Sequence, residues 1–381
     1  MLKQHIGLPR ALLRRRRQAS DLCYAGIRGR APRKLLSFAT DIPVRSYLDH
    51  AFPLSIVSQD PKHHECLLSS FVQLFFPDDK LEYDRVLMLP SLRTVDWQQR
   101  GFLETLDMST HSSALSRPEA LVELLTDSLS QGYYAEIHID EFFLPGRPCY
   151  RNTHSVHDNM IVGYDWPERK FHLAGYGSDY EVRLFHFEDI LKAFYQMPRN
   201  QLARRLIRMV RLRDAKRSGF DLRGMVSQLR DYLESRVTVA PLEMRKARLY
   251  RKNRRFTGAW GLDAYSAFIE YIERMASQRQ PLDLRATRTL WEHKACMLAR
   301  LKYLEALDCF KDGRLFSYSY SPLEASAQSL RFQAYEYNAC GLNQPDLDGA
   351  ADELHAMREK ERAVLSEVLP CLMDSPLMRQ A

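Results

Sequence analysis

The chain lacks an apolar run approaching the roughly 20 residues that a membrane helix needs, so no membrane partner is expected. It lacks any CxxC pair, and its seven cysteines are scattered without regular spacing. That speaks against a zinc ribbon and against a secreted disulfide scaffold, and it leaves reduced thiols in a cytoplasmic protein as the expectation. No zinc-finger, RNP-type or helix-turn-helix signature is present, which disfavours nucleic acid as a partner despite a formal charge of +7. There is no internal repeat, and no low-complexity segment beyond one arginine block.

The 381 residues suffice for two or three domains with a sizeable core. Hydrophobic residues at 45% and charged residues at 27% match an ordinary globular protein. The positive charge is unevenly placed. Residues 1 to 40 hold ten Lys or Arg against one acid, Asp21, so residues 41 to 381 sum to −2. Arg14 to Arg17 follow a short apolar segment, whereas a secretory signal carries its charge before its apolar stretch. Residues 1–44 read as a basic, flexible extension; a docking arm and residues upstream of the natural start are the other readings. A second basic segment, Arg204 to Arg255, has seventeen Lys or Arg and five acids. It suits an acidic partner.

Residues 45–200 read as mixed α/β. "RPEALVELLTDSLSQG" is an amphipathic helix with Pro118 in its first turn and Gly132 at its end. "YYAEIHIDEFFL" alternates like a strand, with Tyr134, Glu136, His138 and Asp140 on one side and Ala135, Ile137 and Ile139 on the other. "HDNMIVGYD" and "KFHLAGY" form a hairpin whose turn is "DWPER", and "HFEDILKAFYQM" returns to helix. Val86 to Leu89 fits a short strand or a helical turn. Residues 201–381 carry helical spacing throughout, from "NQLARRLIRMVRLRD" to "DGAADELHAMREKERAVLSEVLPCLM", with Asp221 and Asp283 as caps.

The stretch "HHECLLSSFVQLFF" places Cys66 near the start of a helical run, where free N–H groups stabilise a thiolate. His157 opens the strand "HDNMIVGYD" about ninety residues later. A helix-borne Cys followed by a His at the start of a hairpin is the order used by papain-like cysteine enzymes, the imidazole taking the thiol proton. The Cys66 N–H and the Gln59 amide are candidates for holding an oxyanion, and His154 is a spare base. His63, His64 and Glu65 beside Cys66 suggest a metal, but adjacent histidines in one helical turn point apart and no second ligand cluster stands at a known spacing, so no metal is expected. "GYGSD", 175 to 179, reads as a hairpin exit, and "WEHK", Trp291 to Lys294, as helix packing.

On "HHECLLSSF", "HDNMIVGYDWPERKFHLAGY" and "HFEDILKAF", residues 50 to 200 resemble the butirosin biosynthesis protein H N-terminal-like family of the papain-like superfamily, which also includes bacteriocin-processing peptidases. On "WGLDAYSAFIEYI" and "LDLRATRTLWEHKACMLARLKYL", the helical half is similar to proteins of this type found beside nonribosomal peptide synthetase genes. The resemblance implies an α+β fold: a papain-like domain, its helix-borne Cys packed on an antiparallel sheet, followed by an all-helical region. It implies a cysteine-dependent acyltransferase of secondary-metabolite biosynthesis, with Cys66 as nucleophile and His157 as base. The acyl group would pass from an acidic acyl or peptidyl carrier protein to a small-molecule or peptide amine. No cofactor is implied beyond the carrier's phosphopantetheine arm. The third catalytic group of such enzymes is an Asp or Asn on the strand after the histidine, and here that place is about Gly175; Asp158, Asp165 and Asp179 are the substitutes. Related peptidases carry Gly after the Cys and Gln six residues before it, where this chain has Leu67 and, one residue out of step, Gln59. A catalytically silent scaffold that binds a carrier protein or peptide intermediate, and a papain-like peptidase or amidase, are the alternative readings.

Overall fold

The computed structural model describes residues 31–77, 102–108, 115, 117–213, 219–237, 258–340, 347 and 349–380. The arginine block, Val86 to Leu89 and part of the Arg204–Arg255 segment lie outside the described residues. In chain order the elements are β1 (Arg33–Leu35), α1 (Leu48–Val57), α2 (His64–Leu68), β2 (Phe75–Pro77), β3 (Leu103–Met108), α3 (Pro118–Ser130), β4 (Tyr134–Asp140), β5 (Val156–Asp165), β6 (Lys170–Tyr176), β7 (Tyr180–His186), α4 (Phe187–Tyr195), β8 (Ile207–Leu212), α5 (Leu222–Leu233), β9 (Gly258–Trp260), α6 (Ala264–Ser277), α7 (Leu284–Ala306), α8 (Phe316–Ala339), α9 (Ala350–Met373) and α10 (Pro376–Gln380). The fold is mixed α/β, with an antiparallel sheet and several helices.

The described residues fall into two compact units. One draws on Met1–Ile42, Ala51–Gln59 and Arg100–Ala215, the other on Pro43–His50, Asp60–Gln99 and Lys216–Ala381. The units do not follow a boundary at residue 200. The segment with Cys66 belongs to the helical unit, and β8 belongs to the sheet.

The first unit is built on a seven-stranded antiparallel sheet in the order β3-β8-β4-β5-β6-β7. β1 pairs with residues 163–165 of β5, beyond the part of β5 that β4 covers, so the basic extension read over residues 1–44 contributes a strand. The period-two pattern of β4 decides its faces. Ile137 and Ile139 are buried with Ile161, Leu173, and the apolar sides of α3 and α4. Pro118 opens α3, and Gly132, at φ +82°, closes it with Tyr133 N donating to Ser128 O, a left-handed cap that glycine adopts without a Cβ penalty. Asp165 makes the β5–β6 turn, its carboxylate accepting from Glu168 N. β8 corrects the helical reading of "IRMVRL". Ile207 and Met209 point into the core, while Arg208 and Arg211 pair across the strands with Asp107, Glu136 and Glu104. Those cross-strand partners stabilise an extended segment that its own residues favour only weakly.

The second unit is mainly helical, with the two-stranded sheet β2–β9 as an exception to the all-helical expectation. β2 also overturns the reading of residues 63 to 76 as one helical run: α2 stops at Leu68, and the chain extends by Phe75, whose ring lies 4.6 Å from that of Trp260. Asp221 and Asp283 cap α5 and α7 by accepting from Gly224 N and Arg285 N, a contribution of about 1 kcal/mol each. At the centre of this unit, Glu361 of α9 accepts from Lys294 Nζ at 2.6 Å and from the hydroxyls of Tyr232, Tyr265 and Tyr320. Lys294 Nζ also donates to His293 Nδ1, and His293 Nε2 donates to the Val72 carbonyl. The "WEHK" run is therefore packing, as its helical setting suggests: Trp291 donates to Glu324, and buried Glu292 takes the backbone N–H groups of Arg45 and Ser46.

Candidate active site

Cys66 sits on α2, in the helical unit, and His157 on β5, in the sheet unit. The chain around Cys66 is tied down within its own unit. The buried Arg300 guanidinium donates to the carbonyls of Leu68 and Ser70, Gln228 donates to the Ser69 carbonyl, and the Ser69 hydroxyl accepts from Asp221 N. With His293 on Val72, α7 and α5 thus fix the backbone that leaves α2. His63 is buried and His64 exposed, so the two rings point apart.

The histidine best equipped for proton transfer is His154. It lies in the loop between β4 and β5, and its Nδ1 donates to Asp140 Oδ2 at 2.6 Å. Asp140 is fully buried, and its other oxygen, Oδ1, accepts the backbone N–H groups of Phe142 and Ser155. The imidazole stacks on the Phe142 ring, centroids 4.2 Å apart. At 44% side-chain exposure it keeps an edge in solvent. With Nδ1–H committed to the carboxylate, Nε2 carries the lone pair, and a buried acid stands behind it to stabilise an imidazolium. Sequence reasoning ranked His154 second and placed the supporting acid on the following strand. The acid is on the preceding strand instead, at the end of β4. The signal available was the alternation that puts Asp140 on the polar side of a strand and then, with Glu141, at a turn. Cys149, a half-buried free thiol in the same loop, was also passed over.

His157 is exposed, and its Nδ1 lies 3.4 Å from the Asp158 carbonyl. The supporting groups proposed for it are elsewhere. Asp165 is at the far end of the same strand, roughly 26 Å away at the usual rise per residue, and also pairs with Arg33. Asp179 makes the β6–β7 turn, accepting from Tyr180 N. The Gln59 amide oxygen accepts from the Ser37 hydroxyl. At Gly175, a Cβ would come 2.7 Å from Arg147 Nη2 and 3.0 Å from Asn159 Oδ1. A buried guanidinium thus fills the place where an acid is expected. The carboxylate near it is Glu141, whose Oε1 lies 3.8 Å from Arg147 Nε. Burial raises the Glu141 carboxyl above its ordinary range, against the opposing pull of His157 and Arg147.

On the other face of β4, His138 Nε2 lies between Glu136 Oε1 and Asp158 Oδ1, at 3.3 and 3.2 Å. Burial disfavours a charge on this ring, but the Glu136 hydrogen bond and the two carboxylate charges outweigh it and raise the pKa. Among the described residues no helix is long and apolar enough to cross a membrane. No protein-family model matches the chain, and no curated protein matches it.

Proposed function

We propose that this chain is a cysteine-dependent acyltransferase-like protein of secondary-metabolite biosynthesis with a papain-like sheet unit, in which Cys66 is the nucleophile; within the sheet unit, the His154–Asp140 pair, rather than His157, is the arrangement suited to a base. The Asp140–His154 hydrogen bond carries this reading, because it fixes the imidazole on a buried acid through Nδ1 and leaves Nε2 on the exposed edge. The Cys66 thiol gives its proton to the base and the thiolate attacks the carbonyl of a carrier-protein thioester. The carrier thiol leaves with that proton, and an acyl-cysteine remains. The amine acceptor then attacks the acyl group, losing its proton to the base, and the acyl–sulfur bond breaks to restore the thiol. Part of the basic character expected to attract an acidic carrier is spent within the sheet, since Arg208 and Arg211 are paired with carboxylates. Docking therefore rests on the remaining basic side chains.

The test is incubation of the chain with an acyl-pantetheine thioester, followed by intact mass measurement. The wild type gains one acyl group, as do Cys149→Ala and His157→Ala, while Cys66→Ala and His154→Ala do not. An acyl gain retained in Cys66→Ala refutes the nucleophile assignment. Arg147 at the Gly175 position favours a second reading, a catalytically silent scaffold. Under that reading the wild type binds a carrier protein but gains no acyl group.

A further inference from the structure

The polar face of β4 holds a group of side chains that acyl transfer does not use. Glu136 and His138 are two residues apart on one strand and share a face, and Asp158 lies directly opposite His138 on β5. The ligand-capable atoms of the three all lie within 4.8 Å of one another. We propose that Glu136, His138 and Asp158 form a binding site for a divalent transition-metal ion, with Zn²⁺ the best match to one imidazole and two carboxylates.

Three observations support it. The first is spacing. Charge-assisted N–H···O bonds run about 2.7–2.9 Å, whereas His138 Nε2 stands 3.3 Å from Glu136 Oε1 and 3.2 Å from Asp158 Oδ1. Tetrahedral Zn²⁺ with bonds near 2.0 Å sets neighbouring ligand atoms roughly 3.3 Å apart. Both separations from His138 Nε2 thus match those around such an ion, and the third pair, Glu136 with Asp158, lies within 4.8 Å.

The second is orientation from outside. His138 Nδ1 donates to the Arg204 carbonyl at 3.1 Å, which leaves Nε2 facing the two carboxylates. Arg208 Nη1 donates to Glu136 Oε2 at 3.3 Å, which leaves Oε1 for the ion. Outer partners of this kind fix ring tautomer and carboxylate direction at metal sites. β4 and β5 are also interior strands, paired on both sides, so the ligands stand on fixed backbone.

The third is charge. Asp107 takes the Arg208 Nε at 2.7 Å and so offsets that guanidinium. Glu136 and Asp158 are left as two negative charges beside the His138 ring, which a 2+ ion matches when it takes the place of the Nε2 proton. Three protein ligands leave a further position for water or a substrate oxygen. In the sequence, His63, His64 and Glu65 beside Cys66 were weighed for a metal and set aside. The group described here has two ligands two apart on a strand and the third twenty residues later, a spacing with no motif attached to it.

The experiment is calorimetric titration of the chelator-treated full chain with ZnCl₂. One Zn²⁺ is expected per chain, and His138→Gln and Asp158→Asn should each weaken its binding at least about ten-fold. Co²⁺ should give visible absorption in the wild type that both variants lose. A wild-type chain that takes up no Zn²⁺ overturns the proposal outright, leaving an imidazolium bridging two carboxylates. Uptake unchanged in both variants also overturns it, by placing the ion elsewhere. Circular dichroism of the variants confirms that weaker binding reflects the lost ligand, since the wild-type measurement stands whatever the variants do.

Discussion

His154 and Asp140 are joined by a 2.6 Å hydrogen bond in which the acid is fully buried and the imidazole 44% exposed. That asymmetry makes the pair directional: the buried end cannot reach solvent, and the exposed end presents a lone pair. The carboxylate is held by two backbone N–H groups, so it stays in place when the ring moves.

Asp140→Asn should therefore separate geometry from chemistry. An Asn side chain still accepts from the two backbone donors through its oxygen, but it offers His154 an amide in place of a carboxylate. The Nδ1–H tautomer loses its anchor and the imidazolium loses its counter-charge. Acyl-enzyme formation is expected to fall by about 10²-fold or more, mainly in kcat, with KM little changed. His157→Ala should stay within a few-fold of the wild type. Single-turnover rates with an acyl-pantetheine thioester check this, and an equal fall in His157→Ala would return the role to His157.

Much of the sheet unit was legible because its strands obey a simple period. Tyr134 to Asp140 alternates without a break, and the turn at Asp165 is written in the sequence as Asp-Trp-Pro. The helix caps Asp221 and Asp283 were legible because a cap is a local device. β8 was not, because Ile207 and Met209 suit either period in a segment that also carries Arg208 and Arg211. What holds Arg208 and Arg211 extended are carboxylates on neighbouring strands, which no local window contains. The Asp140–His154 pair was missed for the same reason. Its two members are fourteen residues apart, and a turn and a loop, rather than a repeat, bring them together.

Arg300 should prove a positioning residue for the Cys66 segment. It donates to the Leu68 and Ser70 carbonyls from the buried interior of α7. Arg300→Met keeps the apolar stem but leaves both carbonyls without this donor, at about 1–3 kcal/mol for each. Urea unfolding measures the loss. At temperatures where the variant remains folded, its acyl-enzyme formation should also fall, with Arg300→Lys recovering part of the stability through one of the two bonds. A variant as stable as the wild type would show that the guanidinium is not what pins this turn.

Lys294 and Glu361 should behave as a unit. Both are fully buried, and Lys294 Nζ lies 2.6 Å from Glu361 Oε2. The Lys294 ammonium holds the Glu361 carboxyl down to about 2 although burial alone would raise it. Lys294→Met strands a carboxylate among three tyrosines, and Glu361→Gln strands an ammonium. Each single change is expected to cost about 3–5 kcal/mol, and replacing both by apolar residues less than the sum of the two. A double-variant cycle by chemical denaturation reads this directly, and simple additivity would mean that the two charges are not coupled.

His293 should make the helical unit sensitive to mild acid. Burial, with the neighbouring Lys294 charge, lowers its pKa from 6.5 to about 3. The ring is used as a neutral relay, accepting from Lys294 at Nδ1 and donating to Val72 at Nε2. In the unfolded chain it takes up a proton below about pH 6.5, but in the folded chain not until about pH 3. The unfolded state thus binds more protons throughout that window. The stability contributed is full above about pH 6.5 and declines as pH falls, by about 1 kcal/mol per pH unit. Glu361, held at about 2 against an ordinary 4.5, adds to the decline only below about pH 4.5. Urea midpoints measured between pH 7.5 and 5.0 therefore isolate His293 from Glu361. His293→Gln offers an amide donor for Val72 and an oxygen for Lys294 but no titrating group, so its midpoint should vary less with pH over this range. If the wild type and His293→Gln lose stability in parallel, the acid sensitivity belongs to other groups and His293 is not held neutral in the fold.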